Sequence, residues 1–441
     1  MMADKGSPKR SVANNSKKKK KKRGGAKRKM TLEQTVAYKA VSEWVLLDQS
    51  NSCSNSKSLV DSTLDDFGVQ CYQPKEKLVF EFHSHTTCSD GYLSPTKLVE
   101  RAHQNGVKVL ALTDHDTLSG IPEAMDEARK YGIKIIPGVE ISTIFHSRVE
   151  FFPEEPVHIL AYYSSCGPTK SEELEKFLKR IRDGRFIRAK NIVSKLNKLK
   201  LPVKWENVTK IAGKGVAPGR LHVARAMLEA GHVENLKQAF ARYLYDGGPA
   251  YSTGSEPVAE ETVQMIRETG GVAVLAHPWA LKNPAFIIRR LKEAGLHGIE
   301  AYRSDGKLSV YCDLAEAHDL LKLGGSDYHG RGGQHESDLG SSTLPVFVVH
   351  EFLKVARPIW CNAIRDILKN YLKDPSESNL QNIMKFWRPK TSKSNDPHCS
   401  ANEWIDQCLL WLSKELNNEN LETTQLEVSR VLSELNLSYG R

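Results

Sequence analysis

The chain has 441 residues, of which 40% are hydrophobic and 26% are charged, values that are ordinary for a soluble globular protein. At roughly 150 residues per domain its length allows up to three domains, and no stretch approaches the ~20 apolar residues of a membrane helix. The N-terminus also lacks the apolar core of a secretory signal, so the sequence predicts an intracellular protein without a membrane span.

The net charge of +10 comes from the N-terminal tail. Residues 1–30 contain 13 Lys or Arg and one acidic residue, a net +12, which leaves about −2 for residues 31–441. A run such as Lys17–Lys22 cannot pack, so this tail is predicted to be disordered. Two interpretations stay open. The tail is either a nuclear address or nucleic-acid-contacting arm, or a solvated segment with no dedicated partner, and a nuclear or cytoplasmic location stays open with it.

From residue 78 onward, short apolar runs alternate with helical patterns, after a helix predicted over 32–47 and a Ser/Asn-rich linker at 50–57. This alternation is typical of a parallel sheet or barrel. Ser94 and Pro95, for example, provide an N-cap and a first-turn proline for the first helix of the series. The predicted strands cover 78–82, 107–113, 133–142, 157–163, 272–277, 298–302, 322–329 and, as a short last strand, 343–348.

Between residues 170 and 250 the alternation gives way to consecutive helical patterns, which predict a helical insertion. The first part of this insertion is basic, because residues 170–200 hold 11 Lys or Arg and four acidic residues, a net +7. Beyond residue 350 amphipathic helices are predicted over 352–373, 378–387, 401–416 and 421–436. The predicted organisation is a basic tail (1–30), an N-terminal extension and linker (31–77), an α/β domain (78–348) with its insertion, and a helical C-terminal extension (349–441).

Histidines and carboxylates recur at the predicted strand ends, where the loops of a parallel α/β fold converge on one face. Taken singly, each residue also fits a satisfied core histidine or a turn residue. Together they provide the nitrogen and oxygen ligands that bind Zn²⁺, Mn²⁺ or Fe²⁺. Nine ligands exceed the needs of one metal, so the sequence predicts two or three divalent ions with Glu140 as a bridge. The nine residues are His83, His85, Asp90, His115, Glu140, His158, His277, Asp327 and His329.

Five separated motifs resemble those of the PHP (polymerase and histidinol phosphatase) family, over roughly residues 78–348. They read FHSHTTCSDG, ALTDHDTLSG, IPGVEIS, VLAHP and GSDYHG, in this order. Within the family the chain is most similar to bacterial 3′,5′-nucleoside bisphosphate phosphatases that also act as 5′-to-3′ exoribonucleases. The resemblance implies a distorted (β/α)₇ TIM-like barrel that binds three metals. The basic tail and the C-terminal region depart from the bacterial pattern and suggest a eukaryotic member.

The resemblance also implies roles for individual residues. Arg220 and His222, in APGRLHVARAM, match an Arg-x-His of the bacterial subgroup that faces the metals. Arg220 would bind phosphate oxygens, and His222 would hold the phosphate or protonate the leaving oxygen. A longer stretch after Glu140 leaves His146 as a competitor for the role of His158. The implied ligand sets are His83, His85, Glu140 and Asp327 for one metal, Glu140, His158 and His277 for the second, and Asp90, His115 and His329 for the third.

These features predict a metal-dependent phosphoesterase that hydrolyses terminal phosphates of 3′,5′-bisphosphonucleotides or the 5′ ends of short RNAs through a metal-bridging hydroxide. One alternative is a histidinol-phosphatase-like phosphomonoesterase, and the insertion with Arg220 and His222 favours the nucleotide over it. The other is a non-catalytic RNA-binding or scaffold protein, against which the complete set of nine ligands argues. The sequence leaves open the native metal, the choice between RNA and a small bisphosphate, and the oligomeric state.

Overall fold

The strands of the computed structural model form two sheets. The structure describes residues 30–46, 60–64, 70–74, 77–146, 154–306, 309–332, 336–386, 404–406, 408–409 and 411–413. The predicted basic tail, the linker at 50–57 and the predicted helix at 421–436 lie outside these residues. In chain order the strands are β1 (Val60–Leu64), β2 (Gln70–Pro74), β3 (Val79–Glu81), β4 (Val107–Leu112), β5 (Lys134–Phe145), β6 (Glu155–Tyr162), β7 (Val272–Leu275), β8 (Gly298–Glu300) and β9 (Leu321–Leu323).

The larger sheet contains β3 to β9 in chain order, and β1 pairs with β2 in a separate antiparallel hairpin. The seven strands curl into a barrel, because Ser84 after β3 forms a parallel bridge with Tyr328 after β9. His85 N–H donates to the carbonyl of the same Tyr328 at 2.9 Å. The expected fold class, a distorted (β/α)₇ TIM-like barrel, is confirmed.

Strand β6 runs antiparallel to both of its neighbours, β5 and β7, whereas the other pairs of the barrel are parallel. Only nine residues, 146–154, connect β5 to β6. A parallel return needs a crossover of a dozen or more residues, so this short connection makes the pair antiparallel. The start of β6 therefore lies beside the carboxyl half of β5, with His158 opposite Ser142.

The helices lie outside the barrel and in the insertion. Ser94 caps α2 as expected, since its hydroxyl accepts from Lys97 N–H at 3.3 Å. The insertion packs around its own apolar cluster, which includes Ile192, Val223 and Met227. The helices are α1 (Leu32–Leu46), α2 (Pro95–Gln104), α3 (Ile121–Tyr131), α4 (Ser171–Lys198), α5 (Trp205–Ala212), α6 (Arg220–Glu229), α7 (Leu236–Ala239), α8 (Ala259–Glu268), α9 (Pro284–Glu293), α10 (Ser309–Ala317), α11 (Val346–Lys373) and α12 (Glu377–Met384), with a π-helix at Phe240–Leu244 and a 3₁₀ turn at Pro278–Ala280. None of the described helices is long and apolar enough to cross a membrane.

The short strand predicted at 343–348 is wrong, because α11 begins at Val346. Its buried residues continue as Val349, Phe352, Leu353 and Ala356, a helical period that a six-residue apolar run does not contain. The Phe352 ring lies 5.2 Å from that of Phe82 inside the barrel. The C-terminal helices thus share the hydrophobic core of the barrel.

Candidate metal centre

Glu140 lies at the centre of the candidate site, with imidazole rings around its buried carboxylate. Its Oε1 is 2.8 Å from Nδ1 of His158 and 2.9 Å from Nε2 of His277. Its Oε2 is 3.1–3.3 Å from a ring nitrogen of each of three other histidines, namely His83, His85 and His115. A carboxylate whose two oxygens face different groups of ligands has the geometry of a bridging ligand.

Two further carboxylates complete the cluster. Asp327 Oδ1 lies 3.4 Å from Nε2 of His83 and 3.1 Å from Nε2 of His85. On the other side Asp90 Oδ1 lies 3.2 Å from Nε2 of His329 and 4.0 Å from Nε2 of His115. All nine residues predicted as ligands are therefore brought together. His146 is not among them, because it pairs with Glu154 at 2.9 Å on the surface.

The donor atoms fall into three groups, each within 4.8 Å. The first contains the four residues that the resemblance implies for one metal. The second adds His85 to the implied set of Asp90, His115 and His329. In the third, His115 joins Glu140 and His158, while His277 contacts the same Glu140 oxygen as His158. The groups are His83, His85, Glu140 and Asp327; His85, Asp90, His115 and His329; and His115, Glu140 and His158.

Several buried polar atoms of the cluster make no hydrogen bond, as atoms that bind a divalent ion would. Both ring nitrogens of His85, Nδ1 of His115 and Oδ1 of Asp90 are buried and make no hydrogen bond among the described residues. A buried polar atom without a partner costs about 1–3 kcal/mol. Nitrogen and carboxylate oxygen atoms converging in this way are the ligands of Zn²⁺, Mn²⁺ and Fe²⁺ sites, so the donor set fits such ions.

The electrostatics of the cluster favour a cation. Burial by itself lowers the pKa of His83, but the carboxylates of Glu300, Glu140 and Asp327 outweigh it and raise that pKa well above its usual range. Against the same effect of burial, Asp327 and Glu140 raise the pKa of His85 to about 10. The site therefore attracts positive charge strongly, whether that charge is a proton or a metal ion.

Glu300 orients two of the candidate ligands and was not predicted from the sequence. It ends β8, is buried, and accepts a hydrogen bond from Nδ1 of His83 at 3.0 Å. Its other oxygen accepts from the backbone N–H of His277 at 2.7 Å. With Nδ1 of His83 turned to Glu300, Nε2 faces Glu140 Oε2 at 3.2 Å and is the nitrogen that would bind a metal. The signal in the sequence was Glu300 itself, an acidic residue in the middle of the otherwise apolar run GIEAY at 298–302.

Replacing Glu300 by Gln is expected to weaken metal binding by about 10- to 100-fold, the usual effect of removing a partner that orients a ligating histidine. The amide keeps one acceptor but turns an NH₂ group toward one of the two donors. Competition with a chelator measures the affinity directly. The matched control is Glu293→Gln, which removes an exposed carboxylate paired with Arg290. Equal metal affinity in the two variants would contradict this role.

The backbone of the cluster requires glycine at one position and adopts unusual φ angles at two others. A Cβ on Gly325 would lie 2.4 Å from Cβ of His83, so only glycine lets this segment approach β3. Asp327 and His277 have φ values of +52° and +28°, which ordinary side chains rarely adopt. Strain of this kind concentrates at functional sites.

Asp114 and Asp116 lie next to the cluster, and neither is among its candidate ligands. Asp114 accepts from Thr86 N–H at 2.7 Å and from the hydroxyl of Ser89 at 2.6 Å, which shapes the loop that carries Asp90. Asp116 holds Nε of Arg185 at 2.6 Å. Their carboxylates therefore fix the loop and the arginine next to the candidate ligands.

A cavity of about 150 Å³ opens beside Asp90, His115 and His158 and is lined by four arginines, and we refer to it as the arginine cavity. Arg185 and Arg188 come from one face of α4, where residues three apart are neighbours. Arg188 is paired with Glu256 at 2.6 Å. The four arginines are Arg185, Arg188, Arg220 and Arg331.

Arg220 lines this cavity, whereas His222 is not one of its lining residues. The Arg220 guanidinium contacts Asp246, donates to Leu244 O at 3.2 Å, and lies 5.8 Å from the Tyr251 ring. His222 is buried, and its Nδ1 accepts from Gly219 N–H at 2.9 Å. Burial lowers the pKa of His222 to about 4, so its imidazole is neutral at pH 7.

Comparisons with known proteins identify the family of the chain. The PHP domain family matches residues 81–215. A 5′-3′ exoribonuclease of Haemophilus influenzae is 34% identical over 279 residues, which are 61% of this chain and 97% of that protein. A 3′,5′-nucleoside bisphosphate phosphatase of Chromobacterium violaceum is 31% identical over 64% of this chain and 94% of that protein. The solved structure of a proposed metal-dependent phosphoesterase from Bifidobacterium adolescentis is similar over 63% of this chain and 96% of its own, with a TM-score of 0.53 and 28% identity.

Proposed function

Because this chain belongs to the PHP domain family of metal-dependent phosphoesterases, we propose that it hydrolyses the 3′-phosphate ester of 3′,5′-bisphosphonucleotides and of the 5′-terminal nucleotide of short RNAs. The observation that carries the proposal is the position of the arginine cavity, which shares Asp90, His115 and His158 with the ligand cluster. One phosphate at the cluster and a second at the arginines match a substrate with two phosphates one nucleoside apart.

The metals of the proposal are two or three ions of Mn²⁺, Fe²⁺ or Zn²⁺. Glu140 would hold them together with the other residues grouped above, with His277 beside His158. When bound, such ions supply Lewis acidity toward a phosphoryl oxygen and lower the pKa of water. The chain itself holds the ligands in place through Glu300 and the loop fixed by Asp114.

Arg220 and its neighbours bind the 5′-phosphate in this proposal. A guanidinium presents a planar fork of donors that matches two phosphate oxygens. Asp116 holds Arg185, Glu256 holds Arg188 and Asp246 contacts Arg220, so three of the four arginines are held in position before the substrate arrives. His222 is assigned a positioning role at the start of α6, because its Nδ1 is occupied by Gly219 and its side chain is buried.

The same arrangement serves both substrates. Water attacks the phosphorus on the 3′ oxygen, the P–O3′ bond breaks, and O3′ leaves with a proton. A bisphosphonucleotide then yields a 5′-nucleotide and inorganic phosphate, whereas an RNA yields a 5′-nucleotide and a shortened chain that carries a new 5′-phosphate. A single-phosphate substrate such as histidinol phosphate would leave the arginine cavity without an anion and place a cationic amine near four guanidinium groups.

Arg220→Ala is expected to lower kcat/KM for adenosine 3′,5′-bisphosphate by roughly 10- to 100-fold, the effect of removing a hydrogen-bonded charge pair. Metal content should stay the same, because Arg220 contacts Asp246 and Leu244 and no candidate ligand. Phosphate release and metal analysis of the same protein sample measure both quantities. Arg242→Ala, an exposed arginine of the insertion, is the matched control.

Adenosine 3′-monophosphate separates this role from a general defect. Without a 5′-phosphate the substrate gains nothing from Arg220, so the variant and the unmodified protein should hydrolyse it at similar rates. A variant that loses activity equally on both substrates would contradict the assignment of Arg220 to the 5′-phosphate. Failure of the unmodified, metal-loaded protein to release phosphate from the bisphosphate would contradict the proposed function.

A further inference from the structure

A second cavity lies beside the ligand cluster and has no role in the reaction described so far. Its volume is about 650 Å³, within the range of roughly 300–1,000 Å³ that is typical of ligand sites. It shares His115 and Arg185 with the arginine cavity, so the two cavities meet at the cluster. We refer to it as the Lys214 cavity.

The lining of the Lys214 cavity is cationic and comes from three parts of the chain. Helix α4 provides Arg182 and Arg185, the loop after α5 provides Lys214, and the segment after α12 provides Lys385. Glu175 is the one carboxylate on this wall among the described residues. Arg182 is paired with Glu175 at 2.5 Å and Arg185 with Asp116 at 2.6 Å. With Lys214 and Lys385 added, cationic side chains still outnumber these carboxylates, which favours an anionic ligand.

The C-terminal extension forms part of this wall through Lys385 and Phe386. Phe386 is 6% exposed and packs into the same apolar cluster as Leu98 and Leu112 of the barrel. A Cβ on Gly167 would lie 2.5 Å from the Phe386 ring, so glycine at this position makes room for the aromatic side chain. Phe386 thereby anchors the extension on the barrel and holds Lys385 at the edge of the cavity.

The cationic surface continues outward from the cavity. Lys214, Gly215 and Val216 also line a shallower depression that includes Lys210 and one carboxylate, Glu206. The cationic residues thus follow a path that starts at His115 and leads to the surface, with the arginine cavity at its inner end. A flexible chain with one negative charge per unit fits such a path better than a small anion does.

We infer that the Lys214 cavity binds the second and following nucleotides of an RNA substrate, with Lys214 and Lys385 contacting the backbone phosphates. The inference rests on the proposed function, in which the 5′-terminal nucleotide occupies the arginine cavity and its 3′-phosphorus lies at the cluster. The remaining chain must then leave on the opposite side of His115, where this cavity opens. A bisphosphonucleotide ends at the cluster and does not reach the cavity.

The test compares charge reversals on two substrates. Lys214→Glu and Lys385→Glu should each lower kcat/KM for a 5′-phosphorylated RNA pentamer roughly 10-fold, because single-strand affinity depends on neutralised phosphates. Turnover of adenosine 3′,5′-bisphosphate should change less than about 2-fold, since that substrate gains no phosphate contact there. Lys237→Glu makes the same charge change at an exposed lysine of the insertion that lines none of these cavities.

Binding gives a readout that does not depend on catalysis. The anisotropy of a fluorescent 5′-phosphorylated RNA pentamer, measured with a chelator present, should show weaker binding for both variants and not for the control. The slope of log affinity against log salt should fall by about 0.7 for each phosphate that the variant no longer neutralises. If Lys385→Glu does not fold, Lys385→Gln tests the same interaction with a milder change.

Two results would overturn the inference while the proposed function stands. One is unchanged RNA affinity and RNA turnover in both variants, with the unmodified protein active on both substrates. The other is an equal decrease on RNA and on the bisphosphate, which would indicate a general defect. Inactivity of the unmodified, metal-loaded protein on both substrates would instead count against the proposed function.

Discussion

Glu140→Gln is expected to abolish most phosphoesterase activity, with a decrease of about 1,000-fold or more, because several kcal/mol of charge stabilisation depends on the metals that this residue would bridge. The amide keeps one acceptor oxygen but places an NH₂ group where the second oxygen stands. One oxygen faces two histidines and the other faces three, so either orientation removes a bridging position. The histidines affected are His83, His85, His115, His158 and His277.

Metal analysis distinguishes this effect from a loss of structure. The Glu140→Gln protein should bind fewer divalent ions per chain than the unmodified protein while its circular dichroism spectrum stays the same. Glu261→Gln, on an exposed position of α8, is the matched control and should keep both metal and activity. Full metal content and full turnover in the Glu140 variant would remove this residue from the centre of the site.

Glu81→Ala is expected to have the largest effect on stability, a decrease of about 3 kcal/mol or more in the free energy of unfolding. The carboxylate is buried inside the barrel and accepts three backbone hydrogen bonds. His83 N–H donates at 3.0 Å, Ser326 N–H at 2.9 Å and Gly340 N–H at 2.8 Å. Alanine leaves all three donors buried without an acceptor, each costing roughly 1–3 kcal/mol.

Urea denaturation of the Glu81→Ala protein and the unmodified protein measures the difference in their free energy of unfolding. Glu81→Gln gives an internal comparison, because its single carbonyl oxygen retains the bonds of one carboxylate oxygen and the decrease should be smaller. Glu123→Ala removes an exposed carboxylate that accepts from Thr96 and should cost little. If Glu81→Ala unfolds at the same urea concentration as the unmodified protein, Glu81 does not tie β3 to the segment that carries Asp327.

Local patterns were sufficient to predict most of the barrel. The apolar runs that became β3, β4, β5 and β7 are bounded by Gly, Pro or polar residues, and the helices between them have caps that can be read directly. Ser94 caps α2, and Gly132 ends α3 in the left-handed conformation. Such signals are local, so they do not depend on the rest of the fold.

The direction of β6 and the start of α11 required the tertiary structure. An apolar run of six to eight residues has the same composition in either strand direction, and the pairing with β5 and β7 decides which one forms. Val346 to Val349 are β-branched or aromatic residues that favour a strand. They become helical because the buried residues recur at helical spacing as far as Phe352 and Leu353, which pack into the core of the barrel.

The sequence by itself was sufficient to predict the nine candidate ligands, because most of them follow apolar runs whose ends a barrel brings together. His158 is an exception, since it lies near the start of the antiparallel strand β6. The sequence did not determine how the ligands are held. Glu81 and Glu300 stand inside apolar strands and show their partners only when the barrel closes and brings residues more than 200 positions apart into contact. The cavities were likewise decided by tertiary structure alone, since the barrel and the insertion together line both of them and the C-terminal extension adds part of the wall of the Lys214 cavity.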